Sequence, residues 1–400
     1  MNSKKKTSCM SKDDQPTHVP KLRFPEFRET GGWESKSLAN YLVDCSRRVP
    51  SDTKLPIYSS TREGLKRQDK YFDGRILQNN NEYGVVPADC FVYRHMSDDG
   101  LFKFNINETG EELAVSKEYP VFRTKDLDSY FLLAKLNDSL DFQQFAFSQK
   151  AGGTRTRLYF GRLCEWNTLL PSVAEQKKIA DCLKSVDELI AGQARKIDVL
   201  KAHKKGLMQQ LFPREGETLP RLRFAEFEEP WTESQLKNLC ISISSGRDKL
   251  DSNGTVDLYG STSIIGKTKN PSYSGERILV ARVGANAGLL TKAKGVFGVT
   301  DNTLVISLTP TTNANFLLHY LENININRLI FGSGQPLITG SILKNLPILV
   351  PSDLEQRKMS ACLSSLDELI VVQSRKLESL KIHKKGLTQK IFPSPEEGEV

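Results

Sequence analysis

At 400 residues, with 38% hydrophobic and 26% charged residues, the chain has material for two or three domains of about 150 residues and the balance of a soluble globular protein. No apolar run reaches the roughly 18 residues a membrane span needs. Seven scattered cysteines without CxxC spacing argue against a disulfide framework or zinc site and for a reducing, cytoplasmic setting, while the formal net charge of +8 suits a nucleic-acid partner or simply solvated basic helices.

Residues 1–18 are polar, contain Lys4-Lys5-Lys6 and lack a signal-peptide core, so a disordered basic tail is expected. Residues 19–170 form a first globular part. It opens with Val19-Pro20-Lys21-Leu22-Arg23-Phe24-Pro25-Glu26-Phe27 and a segment led by Trp33. Beyond it, short apolar runs are broken by Gly, Asn, Asp and Pro. Residues 84–87 and 90–93 read as strands and 129–137 as a helix. Candidate DNA ligands here are Ser60, Thr61, Tyr93 and Arg94, with Thr154, Arg155 and Arg157 in the Gly-rich loop 152–157. Arg can bond guanine bidentately, Asn or Gln can do so with adenine, and hydroxyls serve base or phosphate. A Gly-flanked Arg or Gln is most often an ordinary surface loop.

Residues 171–213 predict one long helix of about 37 residues, roughly 55 Å at 1.5 Å per residue. Ser172-Val173-Ala174-Glu175 fits a capping box, in which the Glu reaches back to the cap. Steps of four and three then place Ile179, Leu183, Val186, Ile190, Gln193, Ile197, Leu200, Lys204, Leu207 and Leu211 on one coiled-coil seam. His203 reads as charge favourable to the helix C-terminal dipole, and Cys182 as a small buried residue. Residues 214–218, with Gly216, form a polar linker.

Residues 219–350 form a second globular part. Strands are expected over 277–283 and 303–306 and a helix over 315–323. Candidate DNA ligands are Ser261, Thr262, Arg282, Asn286 and Gln335. Asn270-Pro271-Ser272-Tyr273 approaches the Asn-Pro-Pro-Tyr loop of amino-methyltransferases but lacks its second Pro. Residues 260–268, GSTSIIGKT, approach a phosphate-binding loop but have five residues between the glycines where four are needed. An Asn-Pro turn is the bland reading of the former. No catalytic constellation emerges.

Residues 351–393 predict a second long helix. Its seam is Met359, Leu363, Leu366, Ile370, Gln373, Leu377, Leu380, Lys384, Leu387 and Ile391, and residues 394–400 are a tail. The two helical stretches are copies offset by 180 residues, with 25 of 43 positions identical, and each carries 8 Lys/Arg and 5 Asp/Glu. Leu219-Pro220-Arg221-Leu222-Arg223-Phe224 likewise repeats the opening motif, Trp231 repeats Trp33, and Tyr259-Gly260-Ser261-Thr262 faintly echoes Tyr58-Ser59-Ser60-Thr61. Repetition on this scale decides the fold. It is α/β (α+β), with two mixed α/β globular domains separated by two long helices paired antiparallel in a pseudo-twofold plan. The seam Gln and Lys residues either fix register or contact a partner protein.

The PxLRFxEF openings, the PSxxEQ helix starts, DELI, the RKxxxLKxHKKGL run and the final Phe-Pro resemble, over nearly the whole chain, the specificity subunit of type I restriction-modification systems. The resemblance implies a non-catalytic subunit with two target-recognition domains. Each would read one half of a split, asymmetric site in double-stranded DNA, with the helix pair setting the spacer. Two methyltransferase subunits using S-adenosylmethionine would modify adenine N6. Restriction subunits using ATP and Mg would cut unmodified DNA. This chain itself would bind no cofactor or metal. The rival readings are a stand-alone adenine methyltransferase and a coiled-coil adaptor that binds only proteins.

Overall fold

The computed structural model describes residues 19–71, 82–150, 155–329 and 337–393; the expected tails fall outside the described residues, as do Thr154 and Gln335. The chain forms two compact units, residues 1–192 with 377–400, and residues 193–376. The long helices Val173–Leu211 and Asp353–Ile391 are each divided between the units near their middles. A unit therefore contains one globular part, the first half of the helix that follows it and the last half of the other helix.

In the first unit the strand Glu34–Ser37 pairs antiparallel with Asn167–Leu170, which leads into the first long helix. A four-stranded sheet runs in the order Leu42–Asp44, Val121–Thr124, Phe91–Tyr93, Phe104–Ile106, and a three-stranded sheet joins Leu113–Ser116, Glu82–Val86 and Arg47–Pro50. The helix Ser129–Asp138 starts where Asp128 Oδ1 accepts from Phe131 N at 2.8 Å. A further helix, Leu140–Ser148, was not foreseen; Ser139 Oγ caps it by accepting from Phe142 N, and only Phe142 and Ala146 of it are buried.

The second unit repeats this plan. Thr232–Gln235 pairs with Pro347–Val350. One sheet runs Cys240–Ser245, Thr303–Leu308, Arg277–Ala281, Leu290–Ala293, and the other Ile264–Thr268, Val256–Tyr259, Val296–Val299, Tyr273–Ser274. The helix Ala314–Ile324 is capped by Asn313 as its counterpart is by Asp128. The faint Tyr-Ser-Thr echo marks a shared hairpin, Tyr58–Thr61 against Gly64–Arg67 in one unit and Val256–Tyr259 against Ile264–Thr268 in the other. Residues 260–268 are thus the tip and second strand of a hairpin, which removes the strand-to-helix context a phosphate-binding loop requires.

Each main core is aromatic and includes parts of both long helices. In the first unit Trp33 and Phe131 meet Phe392, with ring centroids 6.5 and 5.7 Å away, beside Ile179, Leu183 and Ile391. In the second, Phe316 meets Trp231 and Phe212 at 6.2 and 5.8 Å, beside Met359, Leu363 and Leu211. The Phe of each terminal Phe-Pro is therefore a core anchor as well as a helix stop. The Phe212–Phe316 pair is tilted and the other three meet edge-on, and such edge-on pairs add about 0.5–1.5 kcal/mol beyond the area they bury.

Candidate nucleic-acid interface

The duplicated motifs converge at the helix starts. Ser172 Oγ accepts from Glu175 N at 3.3 Å, and Ser352 Oγ from Glu355 N at 3.4 Å, so the first half of each capping box is present. The second half differs from expectation. Glu175 turns to the opening motif, taking Arg23 Nε and Nη2 at 2.8 and 2.7 Å and Trp33 Nε1 at 3.2 Å. Glu355 takes Arg223 Nε and Nη2, both at 2.8 Å, and Trp231 Nε1 at 3.2 Å. A buried carboxylate needs strong donors, and a bidentate guanidinium supplies two; the pairing holds Arg23 above arginine's ordinary pKa. Gln176 accepts from Asp128 N and donates to Pro171 O, and Gln356 repeats both bonds with Asn313 and Pro351. The amides of Leu22 and Leu222 donate to Lys390 O and Gln210 O, satisfying carbonyls in the last turn of a helix.

The seam polar residues find partners inside the chain. In the second unit Gln193 Nε2 donates to Gln373 Oε1 at 2.8 Å and to Gln373 O at 3.0 Å, while Lys204 Nζ pairs with Asp367 at 2.7 Å and Glu322 at 3.1 Å. Residue numbers rise on one helix as they fall on the other, so these halves run antiparallel. In the first unit Lys384 pairs with Asp187 at 2.8 Å and Asp138 at 3.0 Å. Burial opposes the charge on Lys384, yet the two carboxylates carry its pKa above the ordinary lysine value. Burial likewise opposes the charge on Asp367, but bonds with His319 and Lys204 hold its carboxyl below the usual range. Every seam position is buried or half-buried. Leu189, Val199, Val372 and Ile382 point outward, while His203 and His383 are exposed and Cys182 and Cys362 half-buried.

In the first unit, arginines gather around the segment that follows strand Phe91–Tyr93. Arg155 Nε pairs with Asp98 at 2.7 Å, Arg62 bonds both oxygens of Asp99 at 2.7 and 2.6 Å, Arg157 lies opposite Met96 in a short strand pair, and Arg94 is exposed. The Arg62 guanidinium, then Ser97 and the Leu101 amide, keep the Asp99 carboxyl well below the usual range. Arg62, Asp98 and Asp99 were missed because no motif marks them. Tyr93 does not belong to this surface. It is fully buried, its hydroxyl donates to Leu158 O at 3.0 Å, and its ring packs 4.4 Å from that of Phe104. Next to it, His95 is buried under Tyr159, with ring centroids 5.3 Å apart. Ser60 and Thr61 are half-buried strand residues. Ser60 Oγ and Thr61 O accept from Asn105 Nδ2, and Thr61 Oγ1 donates to Gly64 O.

In the second unit, Ser261, Thr262 and Asn286 line one cavity of about 500 Å³ together with Lys249, Asp301 and Asn302. Arg282 is not part of its lining. Its amide donates to Asn302 O, its carbonyl accepts from Ile338 N, and Nη1 donates to Ser245 Oγ at 3.0 Å, so it braces the loops from behind. The Asn-Pro-Ser-Tyr segment is structural: Ser272 donates to Asp248 from both amide and hydroxyl, and Tyr273 stacks on Phe297.

The family model for the type I restriction modification DNA specificity domain matches residues 78–202 and 228–381. The chain is 33% identical over 111 residues to the Escherichia coli type I restriction enzyme EcoprrI specificity subunit, covering 28% of each protein. It is 27% identical over 254 residues to the Methanocaldococcus jannaschii type I restriction enzyme MjaVIII specificity subunit, covering 54% of this chain and 59% of that one. These matches thus span less than two thirds of either relative. The crystal structure of the type I restriction-modification S subunit from M. genitalium superposes with a TM-score of 0.60 at 15% identity, over 94% of this chain and 99% of that one, a likeness of fold.

Proposed function

The chain belongs to the type I restriction-modification DNA specificity family, and from that premise we propose that it is the sequence-reading, non-catalytic subunit of such a complex. Each globular part reads one half of a split site in double-stranded DNA, and the antiparallel helix halves set the register that fixes the spacer. Two methyltransferase subunits carrying S-adenosylmethionine act on adenine N6, and restriction subunits use ATP and Mg. The observation that supports this most is one helix junction, Arg–Glu–Trp, built twice, in units whose loops differ, with arginine–aspartate pairs in the first and a cavity lined by Asn286, Asp301 and Asn302 in the second. That is what a constant frame with two interchangeable readers requires. In the first unit Arg94, Arg155 and Arg157 are the proposed DNA contacts, with Arg62 beside them.

The test is a genome-wide map of N6-methyladenine in cells holding this chain and its methyltransferase partner, against cells lacking only this chain. A split motif with a fixed spacer that vanishes on deletion is expected, and exchanging residues 43–170 for those of a relative changes one half-site only. A methylation pattern independent of the chain, despite co-assembly, overturns the proposal.

A further inference from the structure

We propose that the cavity of the second unit reads an A·T base pair, with Asn286, Asp301 and Asn302 facing the adenine and Leu250 and Ile265 facing the thymine methyl; the inference rests on the recognition role proposed above. The cavity is assembled from separate loops: the segment at 248–250, the hairpin tip after Val256–Tyr259, the turn between Arg277–Ala281 and Leu290–Ala293, and the turn before Thr303–Leu308. Convergence of loops on a sheet scaffold is where binding chemistry concentrates.

The lining divides into two chemistries. Asn286, Asp301 and Asn302 are exposed, and their side chains make no hydrogen bond to another described residue. Asp248 in the same cavity is the contrast: its carboxylate accepts from Val299 N at 2.8 Å and from Ser272, which makes it a brace. The free groups include one carboxylate, which only accepts, and two carboxamides, which donate and accept side by side, beside the Lys249 ammonium and the Thr262 and Thr300 hydroxyls, which are likewise unpaired among the described residues. The apolar side is Leu250 and Ile265, 65% and 52% exposed. Both are seated by glycines. A Cβ on Gly266 would stand 2.3 Å from Leu250 Cδ1, and one on Gly260 would stand 2.7 Å from Ile265 Cγ2. The two glycines leave room for these aliphatic side chains where they lie at the rim of the polar cavity.

Only one base pair presents both chemistries in the major groove. Adenine offers N6–H₂ to an acceptor and N7 to a donor, which a carboxamide matches bidentately, and its partner thymine carries the C5 methyl. A G·C pair also offers cytosine N4–H₂ to the carboxylate and guanine O6 and N7 to the donors, but it has no methyl, so the discrimination rests on the thymine methyl that Leu250 and Ile265 match. Lys249 at the cavity edge supplies the positive charge a neighbouring phosphate needs.

The experiment uses the full chain assembled with its methyltransferase subunits. The methylation map first gives both half-sites, and exchange of residues 241–350 shows which belongs to the second unit. That half-site is expected to contain an invariant A·T pair besides the methylated adenine and its partner. Replacing its thymine by uracil, which removes only the methyl, is expected to weaken binding about fourfold, and this sensitivity is absent in the Leu250→Ala/Ile265→Ala variant. Asn286→Ala with Asp301→Ala is expected to reduce preference over G·C at that position roughly 5- to 100-fold, with the other half-site read as before. Uracil substitution without effect at every thymine of the half-site, or variants that leave its base preferences unchanged while the motif persists, overturn the inference alone. Absence of any chain-dependent motif in the unaltered complex overturns the recognition role beneath it.

Discussion

In the first unit the helix start is fastened by Arg23, Glu175 and Trp33, and in the second by Arg223, Glu355 and Trp231, with corresponding distances agreeing to within 0.1 Å: 2.8, 2.7 and 3.2 against 2.8, 2.8 and 3.2. Elsewhere in the core the copies part. On the helix Ser129–Asp138 the position two turns past the cap is Lys135, enclosed by Trp33, Trp166 and Phe392; on Ala314–Ile324 it is Tyr320, whose hydroxyl accepts from Leu349 N. At the loop ends little beyond the Ser-Thr hairpin corresponds: arginines paired with aspartates in one unit, a cavity lined by unpaired polar groups in the other. Duplicated chemistry marks what the frame needs. Divergence begins inside the core, well before the surface where reading is proposed.

The sharpest test of the shared frame is to remove its carboxylates. Glu175→Ala leaves the Arg23 side chain, 4% exposed, without a counterion, and the expected loss is about 3–5 kcal/mol. Arg223 is 15% exposed and can reach water, so Glu355→Ala is expected to cost less, about 2–3 kcal/mol. Urea unfolding followed by tryptophan fluorescence measures both, since Trp33 and Trp166 report the first unit and Trp231 the second. Equal losses would show that exposure of the arginine does not govern the cost.

What was legible in the chain was what is local or repeated. The seam follows from steps of three and four residues, and strands such as Glu82–Val86 and Arg277–Ala281 from short apolar runs. The Arg–Glu–Trp junction was half legible: repetition flagged all three residues, but Arg23 and Glu175 are 152 positions apart and only the folded chain brings them together. Tyr93 was misplaced because it adjoins Arg94 and His95. Phe91, Val92 and Tyr93 are all buried, as in a strand covered on both faces, where apolar–polar alternation gives no warning. The cavity was invisible as a cavity because its lining comes from four separate loops.

Lys135 tests the divergence. Burial lowers its pKa, and the ion pair with Asp141 at 3.0 Å only partly restores it. A lysine whose folded pKa lies below the ordinary value of about 10.4 binds fewer protons folded than unfolded between those two values, so stability rises with pH across that window. A rise across that window is expected in the native chain. Lys135→Met abolishes it, leaving Asp141 its bond from Thr168 Oγ1 at 2.6 Å. Denaturant midpoints at successive alkaline pH values decide this, and an unchanged slope in the variant would refute it.

The smallest effect is expected where the copies meet themselves. In an antiparallel pair of repeats, equivalent residues can touch only at the centre, and Gln193 and Gln373, offset by 180, do so. Gln193→Leu leaves Gln373 Oε1 half-buried but within reach of water, so the cost is about 0.5–1 kcal/mol. Gln373→Leu keeps the backbone acceptor at 3.0 Å and costs about the same or less. With both replaced, no polar group is left unpaired and two leucines fill a seam that is already apolar on either side. The double variant should therefore be as stable as the native chain or about 1 kcal/mol more stable, with a coupling of opposite sign to the single losses. What the glutamines provide is register: an all-apolar seam tolerates a one-turn slip that would strand an amide. Spacer length in the methylation map is the readout stability cannot mimic. Retention of one fixed spacer by the double variant would assign register to the Lys204–Asp367 and Lys384–Asp187 pairs and the cores that grip both helices, while a mixture of spacers places it on the glutamines.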